Sequence, residues 1–229
     1  MGFRMFETEV EGLDKMLGGG IRWGSSVTIA SDLIDRETLC HQIVGSALKR
    51  KFIVYYLCFK EAPERLRILM QEEANLNPEP YEKKRSLQFF TPLETEFTQT
   101  LKDAGELIKI FDNFTRKMMR DVALYVMRGK KVLFVLNNVS ALADLLHEDP
   151  GWKDFITKGS SWLKKLVKVV SLQISDLKDL SLAESIADFC IVLRDIEGIP
   201  YIKATKVSLS GWVPYRSTSH GIEVAEEYL

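Results

Sequence analysis

The chain has 229 residues, 46% of them apolar and 28% charged, which suits one large domain with a buried core and argues against disorder. Its 31 basic and 32 acidic residues give a formal net charge of −1, so no global field draws it to nucleic acid or anionic membrane, although local patches remain open. Cys40, Cys58 and Cys190 are widely spaced with no C-x-x-C or Cys/His cluster, so neither a zinc site nor a disulfide framework is suggested.

The N-terminal MGFRMFETEVEG lacks a long apolar core, and no run of 18 or more apolar residues occurs anywhere. Neither a signal peptide nor a transmembrane segment is expected. The cysteines fit a reducing, cytoplasmic setting, with Cys58 and Cys190 as small buried hydrophobes inside apolar runs.

In chain order, β-branched and aromatic runs predict strands at Ser26–Ala30, Phe52–Phe59, Leu87–Phe90, Val132–Leu136, Val167–Leu172, Phe189–Leu193 and Tyr201–Val207. Several are almost continuously apolar, the pattern of strands covered on both faces. Helical periodicity covers Glu37–Lys49 and Ala62–Ala74, the latter with Pro63 at a tolerated early position. Turn chemistry marks Asn77–Pro80. A long pattern from Phe97 to Met127 carries a core stripe of Leu101, Leu107, Ile108, Phe111, Phe114, Met118, Val122 and Met127. Gly105 or Asp112-Asn113 could split it into two helices. Strand–helix alternation through the first five strands predicts a doubly wound α/β domain. After Leu193 the link DIEGIP predicts a hairpin added to the sheet. No linker interrupts the chain, so residues 1–229 read as one domain.

The strand Val27–Ala30 and the helix after it frame a loop, Ser31–Thr38, reading SDLIDRET. The segment VEGLDKMLGGGIRWGSSVTIA (Val10–Ala30) leads into it. Further along stand YYLCFKEAPERL (Tyr55–Leu66), KVLFVLNNVSAL (Lys131–Leu142), ESIADFCIVLRD (Glu184–Asp195), Lys206 and GIEV (Gly221–Val224). In order and spacing these segments resemble the RecA-fold ATPases of the KaiC-like group, including its archaeal single-domain members. The resemblance implies a RecA-like P-loop NTPase fold, with a mostly parallel central sheet flanked by helices and a C-terminal antiparallel hairpin. It also implies ATP and Mg²⁺ as cofactors, and side-by-side assembly with the nucleotide at the seam.

The chemistry expected from that resemblance is altered at each part. A working P-loop, G-x-x-x-x-G-K-[ST], needs glycines so that its N–H groups can curl around phosphate, and a Lys to neutralise charge. Anchored from the strand side, Glu37 stands at the Lys position and Thr38 at the Ser/Thr position. Anchored from the helix side, the loop is one residue shorter and those positions fall to Arg36 and Glu37. Asp32, Asp35 and Glu37 would repel phosphate. Near a helix N-terminus they instead favour the helix dipole by about 0.3–1 kcal/mol each, with Asp35 at or near the N-cap. Leu33 or Ile34 could plug the phosphate hollow.

The resemblance places a metal-binding Asp where this chain has Asn137, followed by Asn138. A neutral amide is a poor substitute at a hard cation. The acidic pair that would activate water reads Lys60-Glu61, leaving Glu61 as a vestigial base. Of the late basic pair that would reach a neighbour's phosphates, Lys206 stands and Ser208 replaces the Arg. Ser31, Asp32, Asp35, Arg36, Glu37, Thr38, Asn137 and Lys206 are therefore the residues of a vestigial nucleotide site. The expectation is a pseudo-ATPase without a metal or cofactor, acting as a binding, assembly or regulatory protein. Its partner would be a protein, for example an active KaiC/RecA-like relative, in a homo- or hetero-oligomer.

A weak nucleotide-binding switch or low-activity ATPase is the alternative. A nucleic-acid accessory factor is another: Trp152, Lys153, Phe155, Lys158 and Trp162 combine rings and positive charge, though they would equally dock a protein. Basic clusters at Lys49–Lys51 and Arg128–Lys131 fall where helices end and suit the helix dipole. His41, His147 and His220 are scattered and form no catalytic set. Gly211–Tyr215 is a candidate contact surface if it does not pack as part of a hairpin.

Overall fold

The computed structural model describes residues 5–59, 61–91, 104–146, 157, 158, 161, 169–207 and 211–229. Its elements are β1 (Met5–Phe6), α1 (Leu13–Met16), β2 (Ile21–Arg22), β3 (Ser26–Ala30), α2 (Asp35–Lys49), β4 (Ile53–Cys58), α3 (Pro63–Ala74), α4 (Glu79–Lys83) and β5 (Leu87–Phe90). There follow α5 (Ala104–Met127), β6 (Val132–Asn137), α6 (Val139–Leu146), β7 (Val169–Ser175), α7 (Leu180–Ile186), β8 (Phe189–Ile196), β9 (Ile199–Ala204), β10 (Val213–Thr218) and β11 (Gly221–Val224).

Nine strands form one sheet in the order β11-β10-β9-β8-β3-β7-β6-β4-β5. The six from β8 to β5 are mutually parallel. Strands β9, β10 and β11 extend the sheet antiparallel. The C-terminal addition is thus larger than the single expected hairpin. The β8–β9 turn is Glu197-Gly198, with φ of 56° and 82°. Two positive φ values define the tight turn whose twist matches a hairpin.

The continuous apolar strands are covered on both faces. Val54, Tyr56 and Cys58 of β4 join the core under α2 and α3, with Leu39, Ile43, Leu66 and Met70. The alternate residues Tyr55 and Leu57 join the opposite core, with Met118 and Val122 of α5. All three cysteines are free and buried, and burial lifts the Cys190 thiol to about 11.

Helix α5 is continuous from Ala104 to Met127, so neither Gly105 nor Asp112-Asn113 breaks it. Residues 97–103 of the expected helix lie outside the described residues, as does Val167 of the expected β7. Met118 and Val122 are buried as expected, but Met127 is 81% exposed. It is the last residue of the helix, where the stripe runs off the sheet. The other stripe residues lie outside the described side chains.

The glycine-rich lead-in is a structural clasp. Gly12 has φ 73°, and a Cβ there would lie 2.4 Å from the Val224 carbonyl oxygen. That close approach lets Val224 N–H donate to the Glu11 carbonyl at 3.0 Å. The Asp14 carboxylate accepts from Thr8 N–H and Thr8 Oγ1, both at 2.8 Å. The clasp ties the first residues to the last strand.

Candidate functional site at the carboxyl ends of the central strands

In an open α/β sheet the ligand crevice lies at the carboxyl ends of the strands, where the strand order switches. Here that place is the end of β3, between β7 and β8. The loop Ser31–Ile34 leaves β3 there, and Ser31 N–H donates to the Ser175 carbonyl of β7 at 3.1 Å.

Arg36 organises the site. It stands in the first turn of α2, and its side chain is only 12% exposed. Its Nη1 donates to the Ser31 carbonyl and to Asp176 Oδ1, and reaches the Ser175 carbonyl at 3.3 Å. Its Nε donates to Glu37 Oε1 at 2.9 Å. Burial alone would lower the guanidinium pKa, but the Glu37 and Asp176 carboxylates outweigh it and raise the value. Glu37 is held above its ordinary value by burial, partly offset by Arg36.

The remaining loop side chains are also engaged. Ser31 Oγ accepts Leu33 N–H at 2.9 Å, and Asp32 Oδ1 accepts Leu177 N–H at 3.0 Å. Thr38 donates its hydroxyl to Glu73 Oε2 at 3.1 Å. Asp35 accepts the Tyr215 hydroxyl at 2.7 Å; burial first, then this carboxylate, pushes the phenol pKa up. Asp35 is the first residue of α2, next to the N-cap Ile34, and α2 has no side-chain cap. Ile34 is 62% exposed and so does not act as a plug, Leu33 is half-buried, and Arg36 reaches under the loop to the Ser31 carbonyl.

Across the crevice, Asn137 ends β6 with 0% exposure. Its Nδ2 donates to Glu61 Oε2 at 3.2 Å, while its Oδ1 is buried with no hydrogen-bond partner. Asn138 takes φ 61° and its Oδ1 accepts Ala141 N–H at 2.8 Å, which starts α6. Ser140 Oγ lies 3.2 Å from Ser175 Oγ and accepts Asp176 N–H at 2.9 Å. Ser140, Ser175 and Asp176 belong to the same cluster, and no motif spacing announced them. Their proximity comes from the parallel register of β3 with β7 and of β7 with β6.

Lys206 is elsewhere. Its ammonium donates to the Glu184 and Ala187 carbonyls at the end of α7, where a cation suits the helix C-terminus. Lys60, Ser208, Trp152, Phe155 and Trp162 lie outside the described residues.

These groups do not match a magnesium–triphosphate. A phosphate cradle turns N–H donors inward, whereas here the Ser31 carbonyl and the carboxylates of Glu37 and Asp176 converge on one guanidinium. The Thr38 hydroxyl is committed to Glu73, and the group facing Glu61 is an amide. The arrangement satisfies an internal cation rather than an incoming anion.

The strand order, the helices on both faces and the antiparallel C-terminal strands define a RecA-like fold. Among solved structures, the chain is similar to a KaiC-like protein of the hyperthermophilic archaeon Pyrococcus horikoshii. The TM-score is 0.75 at 19% identity, covering 98% of this chain and 100% of that one. No protein-family model and no curated protein matches the chain. No helix among the described residues is long and apolar enough to cross a membrane.

Proposed function

We propose that this chain is a catalytically inactive KaiC/RecA-like domain that works by binding, as an assembly or regulatory subunit. The carrying observation is Arg36, folded back under its own loop and held by Glu37, Asp176 and two strand-end carbonyls. The Asn137–Glu61 contact supports the same reading, because the resemblance expects a metal-binding carboxylate at that position and the residue is a neutral amide. Titration with ATP, with and without Mg²⁺, tests it. No turnover and no binding tighter than about 10 µM (near −7 kcal/mol) are expected. Tighter binding, with turnover abolished by Glu61→Gln, would overturn the proposal.

A nucleotide switch is the second reading. One atom, Arg36 Nη1, makes the contacts to Ser31, Ser175 and Asp176, so a single rotamer change would open the space beneath the loop. Magnesium-independent binding without turnover in the same titration would favour it. A light-scattering mass, alone and with a candidate relative, tests the assembly role.

A further inference from the structure

Three helix-to-strand turns lie side by side at the amino end of the sheet, away from the Arg36 site. Strand β4 is flanked in parallel by β5 and β6, so the turns leading into these strands are neighbours. Lys49, Arg50 and Lys51 lead into β4. Lys83, Lys84 and Arg85 lead into β5, and Arg128, Lys130 and Lys131 into β6. Adjacent strands lie about 4.8 Å apart, so the three turns occupy a rim roughly 10 Å wide.

All nine side chains are exposed. Arg50 pairs with Glu7 and Glu9, and Lys83 with Glu79. The other seven have no carboxylate partner among the described residues. Helix dipoles account for a basic residue or two at each helix end. They do not account for a surplus concentrated on one rim of a chain whose net charge is −1.

The rim also has a concave part. A cleft of about 280 Å³ is lined by Arg85, Arg128, Gln88, Tyr55, Tyr125 and Leu124. Asp121 is the one carboxylate in its lining. Leu124 and Met127, on the last turns of α5, are 45% and 81% exposed. Guanidinium forks suit carboxylates, and the cleft with its apolar margin suits an inserted side chain.

We propose that this rim docks an acidic segment of a partner protein, with carboxylates on Arg85 and Arg128 and an apolar side chain against Leu124 and Met127. Nucleic acid fits less well. Stacking needs exposed ring faces, but Tyr55 and Phe52 are buried, Tyr125 and Trp23 are half-buried, and Lys131 lies 5.1 Å from the Trp23 ring. A flat anionic membrane would not use the cleft. The inference rests on the assembly reading, but ATP titration probes the opposite end of the sheet, so either can fail alone.

The test uses the full chain and three labelled probes: a glutamate-rich peptide carrying one leucine, oligothymidylate, and phosphatidylcholine vesicles doped with phosphatidylserine. The peptide should bind with an affinity that falls as salt rises. Arg85→Glu with Arg128→Glu should weaken it by about tenfold or more at unchanged melting temperature. If that variant does not fold, Arg85→Ala with Arg128→Ala should give a smaller loss in the same direction. The proposal is overturned if the peptide does not bind, if folded variants bind it like the wild type, or if DNA or vesicles bind as tightly as the peptide.

Discussion

Arg36 shows how one side chain can reverse the polarity of a loop. Its partners Glu37 and Asp176 are 12% and 30% exposed. Removing the guanidinium leaves two partly desolvated carboxylates without their cation. Arg36→Ala should therefore cost about 2–4 kcal/mol, somewhat below a fully buried pair because water reaches Asp176. Urea unfolding at neutral pH measures it, and Arg36→Lys should recover only part of the loss, since one ammonium cannot reproduce the fork. Asn137→Asp restores the residue type that the resemblance expects, but it sets a fully buried carboxylate against Glu61. We expect a loss of about 2–4 kcal/mol at neutral pH, shrinking in acid as one of the pair is protonated. Urea unfolding of variant and parent at pH 7 and in acid checks this, and an equal loss relative to the parent at both would show that the two groups do not interact.

At the scale of elements, α2 links the site to the C-terminal strands. Gln42, on α2, accepts Ile222 N–H at 2.9 Å and donates to the Ile222 and His220 carbonyls at 3.3 and 3.4 Å. Gly221 has φ 119°, and a Cβ there would meet the Gln42 amide at 2.1 Å. Gly221→Ala should cost about 2–3 kcal/mol through backbone strain and the lost contact. With Gln42→Ala the two losses should combine to less than their sum, as measured by thermal melts of both single variants and the double. The β10–β11 hairpin also decides the fate of Gly211–Tyr215. Val213 and Tyr215 are buried in the sheet and Pro214 is half-buried, which leaves Gly211 and Trp212 at the surface, the latter 37% exposed with Lys203 5.7 Å from its ring.

For the whole molecule, acid stability should be governed in part by His41. It is fully buried, with Nε2 3.1 Å from the Tyr56 hydroxyl and no partner on Nδ1. Burial lowers its pKa from 6.5 to about 3. The unfolded chain therefore binds a proton that the folded chain does not. This group's stabilisation is complete above pH 6.5 and is lost as pH falls towards 3. Glu37 runs the other way: held above its ordinary value, it favours folding at low pH, and that contribution fades as pH rises through its folded pKa. The expected outcome is that His41→Gln flattens the acid limb of the stability profile between about pH 6.5 and 3. Denaturant midpoints measured across that range would check it, and an unchanged slope would remove His41 from the account.

The sequence by itself determined the frame. Continuous apolar strands alternating with amphipathic helices bury both faces in a parallel α/β sheet, and β3 and β5 fell where β-branched and aromatic runs placed them. It also exposed the altered loop, because missing glycines, a missing Lys and Asn137 are matters of identity, legible without coordinates. The tertiary structure decided what those identities do. Nothing in the spacing of Arg36, Ser175 and Asp176 foretold their contact, since residues about 140 positions apart meet only through strand register. Likewise, the basic clusters Lys49–Lys51 and Arg128–Lys131, which look like ordinary helix ends, joined Lys83–Arg85 in one rim only when β4, β5 and β6 were laid side by side. Local chemistry is written along the chain, whereas convergence depends on which strands pair.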